Sequence, residues 1–393
     1  MAAAAVMVSA SLPAFLVGAL APHIGTEMPF AAAEVGITMA CTFTVAGVLS
    51  PLGGRLVQQL GAHRVARIIS ALCTAGLLGI SVAHAVWQLV GALLLVGLAN
   101  ALSQPASNQL LAQLQTPRRR ALAFGVVQAA IPAAALAAGA ALAVASHGVD
   151  WRATTLVAAV CTIAVQAVVP RRPASLAPVP PARTPGRTPM ARPSRPVPAG
   201  QLATLVLTGA LASAAATALP TFIATAGLAQ GLSPFTVAGA QMAGSIGSIV
   251  VRVLAPVAVS QASEQRRFTL MAVLIGAGTA GLLLLVPGTP AAFVLGAVLG
   301  LAFGWGWNSL YNQLVAATAP GRVASTTGST QAGVFLGGTA GPALFALVAA
   351  RIGFPTAWTV MAVLMAVAAA CALAGRAGRR RPTASQMTTA ERI

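Results

Sequence analysis

The stretch GGRLVQQLGAHR, Gly53 to Arg64, joins two long apolar runs and carries two of the chain's few charged residues. Its glycines allow two helix ends to turn and pack closely, and its arginines favour the cytoplasmic side of a bilayer. The stretch therefore reads as a short turn between two membrane-crossing helices, provided that the rest of the chain belongs in a membrane. Composition decides that point. The 393 residues are 57% hydrophobic and 7% charged, with mean hydropathy +0.85. A water-facing surface needs about a quarter of its residues charged, so lipid must cover most of this chain.

The net charge of +18 does not point to nucleic acid. The basic residues, all Arg, fall in short clusters between apolar runs and do not gather on one soluble face. The four cysteines, Cys41, Cys73, Cys161 and Cys371, lie within apolar runs without ligand spacing, so neither disulfides nor a metal site is expected, and no cofactor is implied. The N-terminal run lacks a positive start and leads into a further apolar segment, so it reads as a retained first helix and not as a cleaved signal.

Cutting the chain at charges, prolines and glycine turns leaves apolar runs near 3–22, 34–57, 66–84, 87–114, 121–146 and 152–169, then 202–227, 234–258, 268–286, 290–316, 323–349 and 355–375. Each approaches the roughly 20 residues a helix needs to cross the hydrocarbon. The expected fold is an all-α membrane protein of 12 helices in two pseudo-symmetric six-helix bundles, residues 1–170 and 201–376. Residues 171–200 form a Pro- and Arg-rich linker and 377–393 a tail. The linker reads as an extended solvated tether near anionic lipid headgroups, with a PxxP ligand as the alternative.

Arginines follow every even-numbered span: Arg55, Arg64 and Arg67; Arg118, Arg119 and Arg120; the linker; Arg266 and Arg267; Arg322; and the tail. Both termini are therefore expected in the cytoplasm, with the chain in the cytoplasmic (inner) membrane.

The halves echo one another at a spacing of about 200 residues. Leu12-Pro13-Ala14-Phe15 answers Leu219-Pro220-Thr221-Phe222; Asn108-Gln109-Leu110 answers Asn312-Gln313-Leu314; and Gly125, Gln128 and Ala129 return as Gly328, Gln331 and Ala332. A duplicated bundle with a cleft between its halves suits alternating access. With the basic linker and the hairpin Gly54-Arg55-Leu56-Val57-Gln58-Gln59-Leu60-Gly61-Ala62-His63-Arg64, the chain resembles the major facilitator superfamily, whose signature there is approximately G-x-L-a-D-r-x-G-r-r. The resemblance implies that Gly54, Gln58, Gly61 and Arg64 gate the cytoplasmic ends of the bundles. Gln58 replaces the family's Asp, so a weakened latch is expected, and a purely topogenic turn is the alternative.

The resemblance also implies a central cavity lined by spans one, four, seven and ten. Candidate substrate-binding residues are Asn100, Gln104 and Asn108 in span four and Trp307, Asn308, Tyr311 and Asn312 in span ten, with Gln128 and Gln331 from spans five and eleven. Amides in hydrocarbon either pair between helices or line a wet cavity, and both readings stand for each residue. The aromatics could equally pack between helices or face lipid. Arg252, toward the cytoplasmic end of span eight, is expected to snorkel to the interface. No Asp, Glu or His lies in mid-membrane, and Glu34 reads as a dipole partner at the start of span two.

Exporters of the superfamily that exchange drugs for protons often carry an Arg where this chain has Leu93, and its organic-anion carriers place cations in the cavity, where none is expected here. The expected function is secondary transport of a small organic solute, neutral or weakly polar. Drug or metabolite efflux coupled to protons is the alternative, and a non-transporting receptor or scaffold is an alternative of another class. The expected partners are the solute, lipid and, as a candidate coupling ion, the proton; a monomer is expected. The chain has no HExxH, phosphate loop or convergent acids, so no enzyme is expected. In span eleven Gly333, Gly337, Gly338, Gly341 and Pro342 read as a close-packing face.

Overall fold

A helix that is apolar on every side must be covered by protein or lipid on every side, and that rule governs nearly every element here. The computed structural model describes residues 2–112, 117–168, 199–318 and 323–377. Fourteen helices form among them. The first half holds α1 (Ala2–Ile24), α2 (Ala32–Leu60), α3 (Ala62–Ser81), α4 (Val86–Ala112), α5 (Pro117–Gln128), α6 (Ala130–Ala145) and α7 (Trp151–Val168). The second holds α8 (Ala199–Ala229), α9 (Pro234–Ala258), α10 (Glu264–Leu284), α11 (Pro290–Ala302), α12 (Asn308–Thr318), α13 (Val323–Arg351) and α14 (Phe354–Ala377). Among the described residues, ten stretches are long and apolar enough to cross a bilayer, while Trp151–Ala164 and Pro290–Ala302 are apolar but shorter. The chain is a multi-pass membrane protein. The expected linker, apart from its last two residues, and the expected tail, apart from Ala377, lie outside the described residues.

Two spans expected to be continuous are interrupted. Span five breaks at Ala129, between α5 and α6, because Pro132 has no N–H to give the Gln128 carbonyl four residues earlier. Span ten breaks over Phe303–Trp307, where Gly304 and Gly306 weaken the helix and the chain turns before α12 begins. A third difference concerns the hairpin. Helix α2 runs on to Leu60, and the turn is made at Gly61 alone, whose φ of 80° suits glycine. Gly53 instead lets α2 approach α4, since a Cβ there would lie 2.6 Å from the Ala101 carbonyl oxygen. Arg64 is exposed at the start of α3. Gly54 and Gln58 lie within α2, but their surroundings fall outside the described residues, as do those of Arg55.

The helix pairs repeat between the halves. In the first, α1 packs on α6, α2 on α4, α3 on α4 and α3 on α7; in the second, α8 packs on α13, α9 on α11, α10 on α11 and α10 on α14. Across the halves α1 meets α8, α2 meets α13 and α6 meets α9. Lipid supplies no hydrophobic drive between helices, so close packing of small residues must hold them. Gly333, Gly337 and Gly341 present one face of α13 to Val206, Ala210 and Ala214 of α8. That is the packing face expected from the sequence. Across the halves Gly18 lies against Thr221, Gly139 against Met242 and Gly338 against Phe43.

A polar cluster ties three connections of the first half together. Arg152 forms an ion pair with Glu27, donates to the Ala83 carbonyl oxygen at 3.0 Å, and lies over the Trp151 ring at 4.3 Å. The Trp151 indole donates to Glu27 at 3.0 Å. The Arg152 hydrogen bond holds the Glu27 carboxyl below its ordinary pKa. Glu34 accepts from the Ala31 backbone N–H at 2.9 Å, which caps the first turn of α2 as well as complementing its dipole.

Candidate functional site

A cavity of about 100 Å³ lies between the halves. Its walls come from α1, α2, α4 and α6 on one side, and from α8, α9, the broken region of span ten and α13 on the other. Polar groups face it from both halves: Ser11, Asn100 and Ser103 from the first, and Ser213, Thr217 and Asn308 from the second. Phe15, Phe43 and Trp305 supply an apolar part, with Phe15 set edge-on to Trp305 at 5.2 Å between ring centres.

The residues proposed from the sequence divide into two groups. Asn100, Gln104, Trp307, Asn308 and Gln331 line the cavity. Asn100 also donates to the Ala10 carbonyl oxygen of α1 at 2.8 Å, so it pins α4 to α1 at the cavity edge. Gln128, Tyr311 and Asn312 are not part of the cavity wall. Tyr311 points into the second bundle, where its hydroxyl donates to the Leu205 carbonyl oxygen of α8 at 3.0 Å; satisfying that buried hydroxyl requires the inward orientation. Gln128 is buried, and it is the backbone carbonyl freed by Pro132 that faces a partner across the halves. The side chain of Asn108 lies outside the described residues.

Asn312 stands one step behind the wall and links two groups that form it. Gln331 donates to Asn312 Oδ1 at 3.0 Å, and Asn312 donates in turn to Asn308 Oδ1 at 2.8 Å and to the Asn308 carbonyl oxygen at 3.0 Å. This amide chain runs from α13 to the first turn of α12. Both alternatives weighed for the amides are thus realised at once: they pair between helices, and the two ends of the chain face the cavity.

The largest departure from expectation is Arg252. It does not snorkel. Only 1% of its surface is exposed, and it lines the cavity. Its Nε donates to the Trp305 carbonyl oxygen at 3.0 Å, its Nη1 to the Gln128 carbonyl oxygen at 2.7 Å, and its guanidinium lies 5.4 Å from the centre of the Trp305 ring. One arginine therefore satisfies carbonyls at both interrupted spans, one in each half. A helix carbonyl that loses its N–H partner in hydrocarbon needs another donor, and those carbonyls explain why the side chain turns inward. The expectation of a cavity without a cation is overturned. Arg252 closes a stripe of buried polar residues on α9, Gln241, Ser245, Ser248 and Arg252, at steps of four, three and four residues. Gln241 at its far end donates to the Ala135 carbonyl oxygen of α6 at 3.1 Å. That helical spacing is the signal by which the sequence could have placed Arg252 inside the bundle.

Two related helical bundles around a shared polar cavity define a membrane carrier of the duplicated-bundle class. The chain belongs to the Major Facilitator Superfamily, whose family model matches residues 2–329. Among solved structures, the bacterial homologue of the human lysosomal transporter Spinster is similar in fold. Its inward-facing, unoccupied form gives a TM-score of 0.69 at 15% identity, and its inward-facing, occupied form 0.66 at 14%, each covering 95% of both chains. No curated protein matches the sequence. Membership makes this protein a secondary transporter.

Proposed function

We propose that the protein moves a small organic solute across the cytoplasmic membrane by alternating access, with the cavity between the halves as the transport site. One observation carries this reading: a cavity at the junction of the bundles is lined by hydrogen-bonding side chains from both, so a bound solute is held by both at once. Polar groups are costly in hydrocarbon and are retained where they pair or meet a polar ligand. Asn100, Gln104, Trp307, Asn308 and Gln331 are the proposed contacts, with Asn312 positioning Asn308 and Gln331. Gly54, Gln58, Gly61 and Arg64 are the proposed cytoplasmic gate, and the arginine pattern supports cytoplasmic termini.

The test is flux. Proteoliposomes holding the purified full chain are offered a mixed pool of small neutral and charged solutes, and the lumen is analysed by mass spectrometry. Protein-dependent accumulation or exchange of one class, reduced at least tenfold in Asn308→Ala, is expected. Binding without flux of any solute would replace transport by the receptor reading.

A further inference from the structure

We infer that the solute is a small organic monoanion whose carboxylate pairs with Arg252. This rests on the reading of the cavity as the transport site and adds the chemical class of what it binds.

Arg252 is a charged residue in a wall otherwise made of neutral groups. None of the four acids among the described residues stands within the membrane to neutralise it. Glu27, Glu34 and Asp150 stand at helix ends, Glu264 opens α10, and Glu391 belongs to the tail. Among the described residues no carboxylate opposes the guanidinium. A buried charge without a counter-charge is strongly disfavoured, so a persistent one marks a place where a ligand completes the pair. The hydrogen bonds leave donors for that ligand. Of the five N–H donors of an arginine, two serve the Trp305 and Gln128 carbonyls, and the other three have no protein acceptor among the described residues. A planar fork of this kind suits a carboxylate.

The surroundings favour negative charge as well. Helix α12 begins at Asn308, a wall residue, so the positive end of its dipole lies beside the cavity. The indole N–H of Trp307, also in the wall and buried, has no acceptor. One guanidinium calls for one negative charge, and the aromatic part formed by Phe15, Phe43 and Trp305 calls for an apolar body attached to it. A small monocarboxylate meets both demands.

Thermal unfolding of the purified full chain in detergent, at neutral pH and constant ionic strength, separates the cases. The probes are two carboxylates, benzoate and lactate, their uncharged isosteres benzamide and lactamide, and nitrate. A ligand that binds only the folded state raises Tm by mass action. At least one carboxylate should raise Tm saturably at a concentration tenfold or more below its amide. Arg252→Gln should remove that preference. Arg252→Lys, which keeps the charge without the fork, should retain a weaker one and guards against misfolding of the first variant. Equal responses to acid and amide, both lost in Asn308→Ala, would overturn the anion while leaving the transport site in place. A response to nitrate alone would overturn the organic part. No charge-selective response at all would also overturn the anion, and the flux experiment then judges transport independently.

Discussion

Replacing Gly337 by Ala tests how closely the second bundle is packed. A Cβ at 337 would lie 2.0 Å from the Ala210 carbonyl oxygen and 3.0 Å from its Cα. Ordinary contact begins near 3.4 Å, and the obstacle is helix backbone, so α8 and α13 must part locally by somewhat more than 1 Å. Overpacking of this kind costs about 1–3 kcal/mol, and each facing atom pair drawn apart forfeits part of a ~0.1–0.2 kcal/mol attraction. Alanine recovers up to about 1 kcal/mol through its better helix propensity. A net loss of about 1–2 kcal/mol is expected. The control is Gly276→Ala in α10, where an added Cβ meets nothing within 4 Å; that variant should be neutral or stabilised by up to about 1 kcal/mol. Reversible unfolding in mixed detergent and dodecyl sulfate micelles reads both. If Gly337→Ala proved as stable as Gly276→Ala, the close approach of α8 and α13 would be wrong. Gln331 and Gly338 of α13 and Ser213 of α8 would then be misplaced around the cavity too.

The amide chain should behave as a unit: a double-mutant cycle of Asn312→Ala and Gln331→Ala should give a coupling of about 0.6 kcal/mol, and no more than about 1.7 kcal/mol, whereas strict additivity would mean that the hydrogen bond is absent. The Glu27 carboxyl, held below its ordinary pKa by Arg152, should stabilise its end of the first bundle fully above about pH 4.5 and lose that contribution as pH falls through its lowered folded value. The Tm difference between the native chain and Glu27→Gln should accordingly shrink from pH 7 to pH 3. A difference constant over that range would show that the pair with Arg152 contributes nothing.

Much of the architecture was legible because lipid leaves so few alternatives. Apolar runs and the arginines between them delimit the spans, and the echo of Leu12-Pro13 in Leu219-Pro220 divides the chain into halves. The breaks in spans five and ten were not expected, although their causes are visible: Pro132 removes one N–H, and glycines flank Trp305 on both sides. A hydropathy window averages over such residues, since an interrupted apolar helix is as apolar as a continuous one. The site followed the same division. Residue type found the amides, but facing was not deducible for Tyr311 or Asn312, which share a helix with wall-lining Asn308 yet turn to α8 and α13. Considered alone, Arg252 reads as a residue near a helix end that reaches the interface. Taken with Gln241, Ser245 and Ser248, it extends one polar face, and a polar face on a membrane helix turns from lipid toward protein.

The claim on which the rest depends is that the central cavity opens to each side of the membrane in turn. With Cys41, Cys73, Cys161 and Cys371 replaced by Ala, Ser213→Cys places a single thiol in the cavity wall. A membrane-impermeant maleimide is applied to right-side-out vesicles in one experiment and to inside-out vesicles in another. Labelling of Cys at 213 from both sides, slowed from both by a transported solute, is the predicted result. Labelling from one side only, however long the exposure, would contradict alternating access through this site.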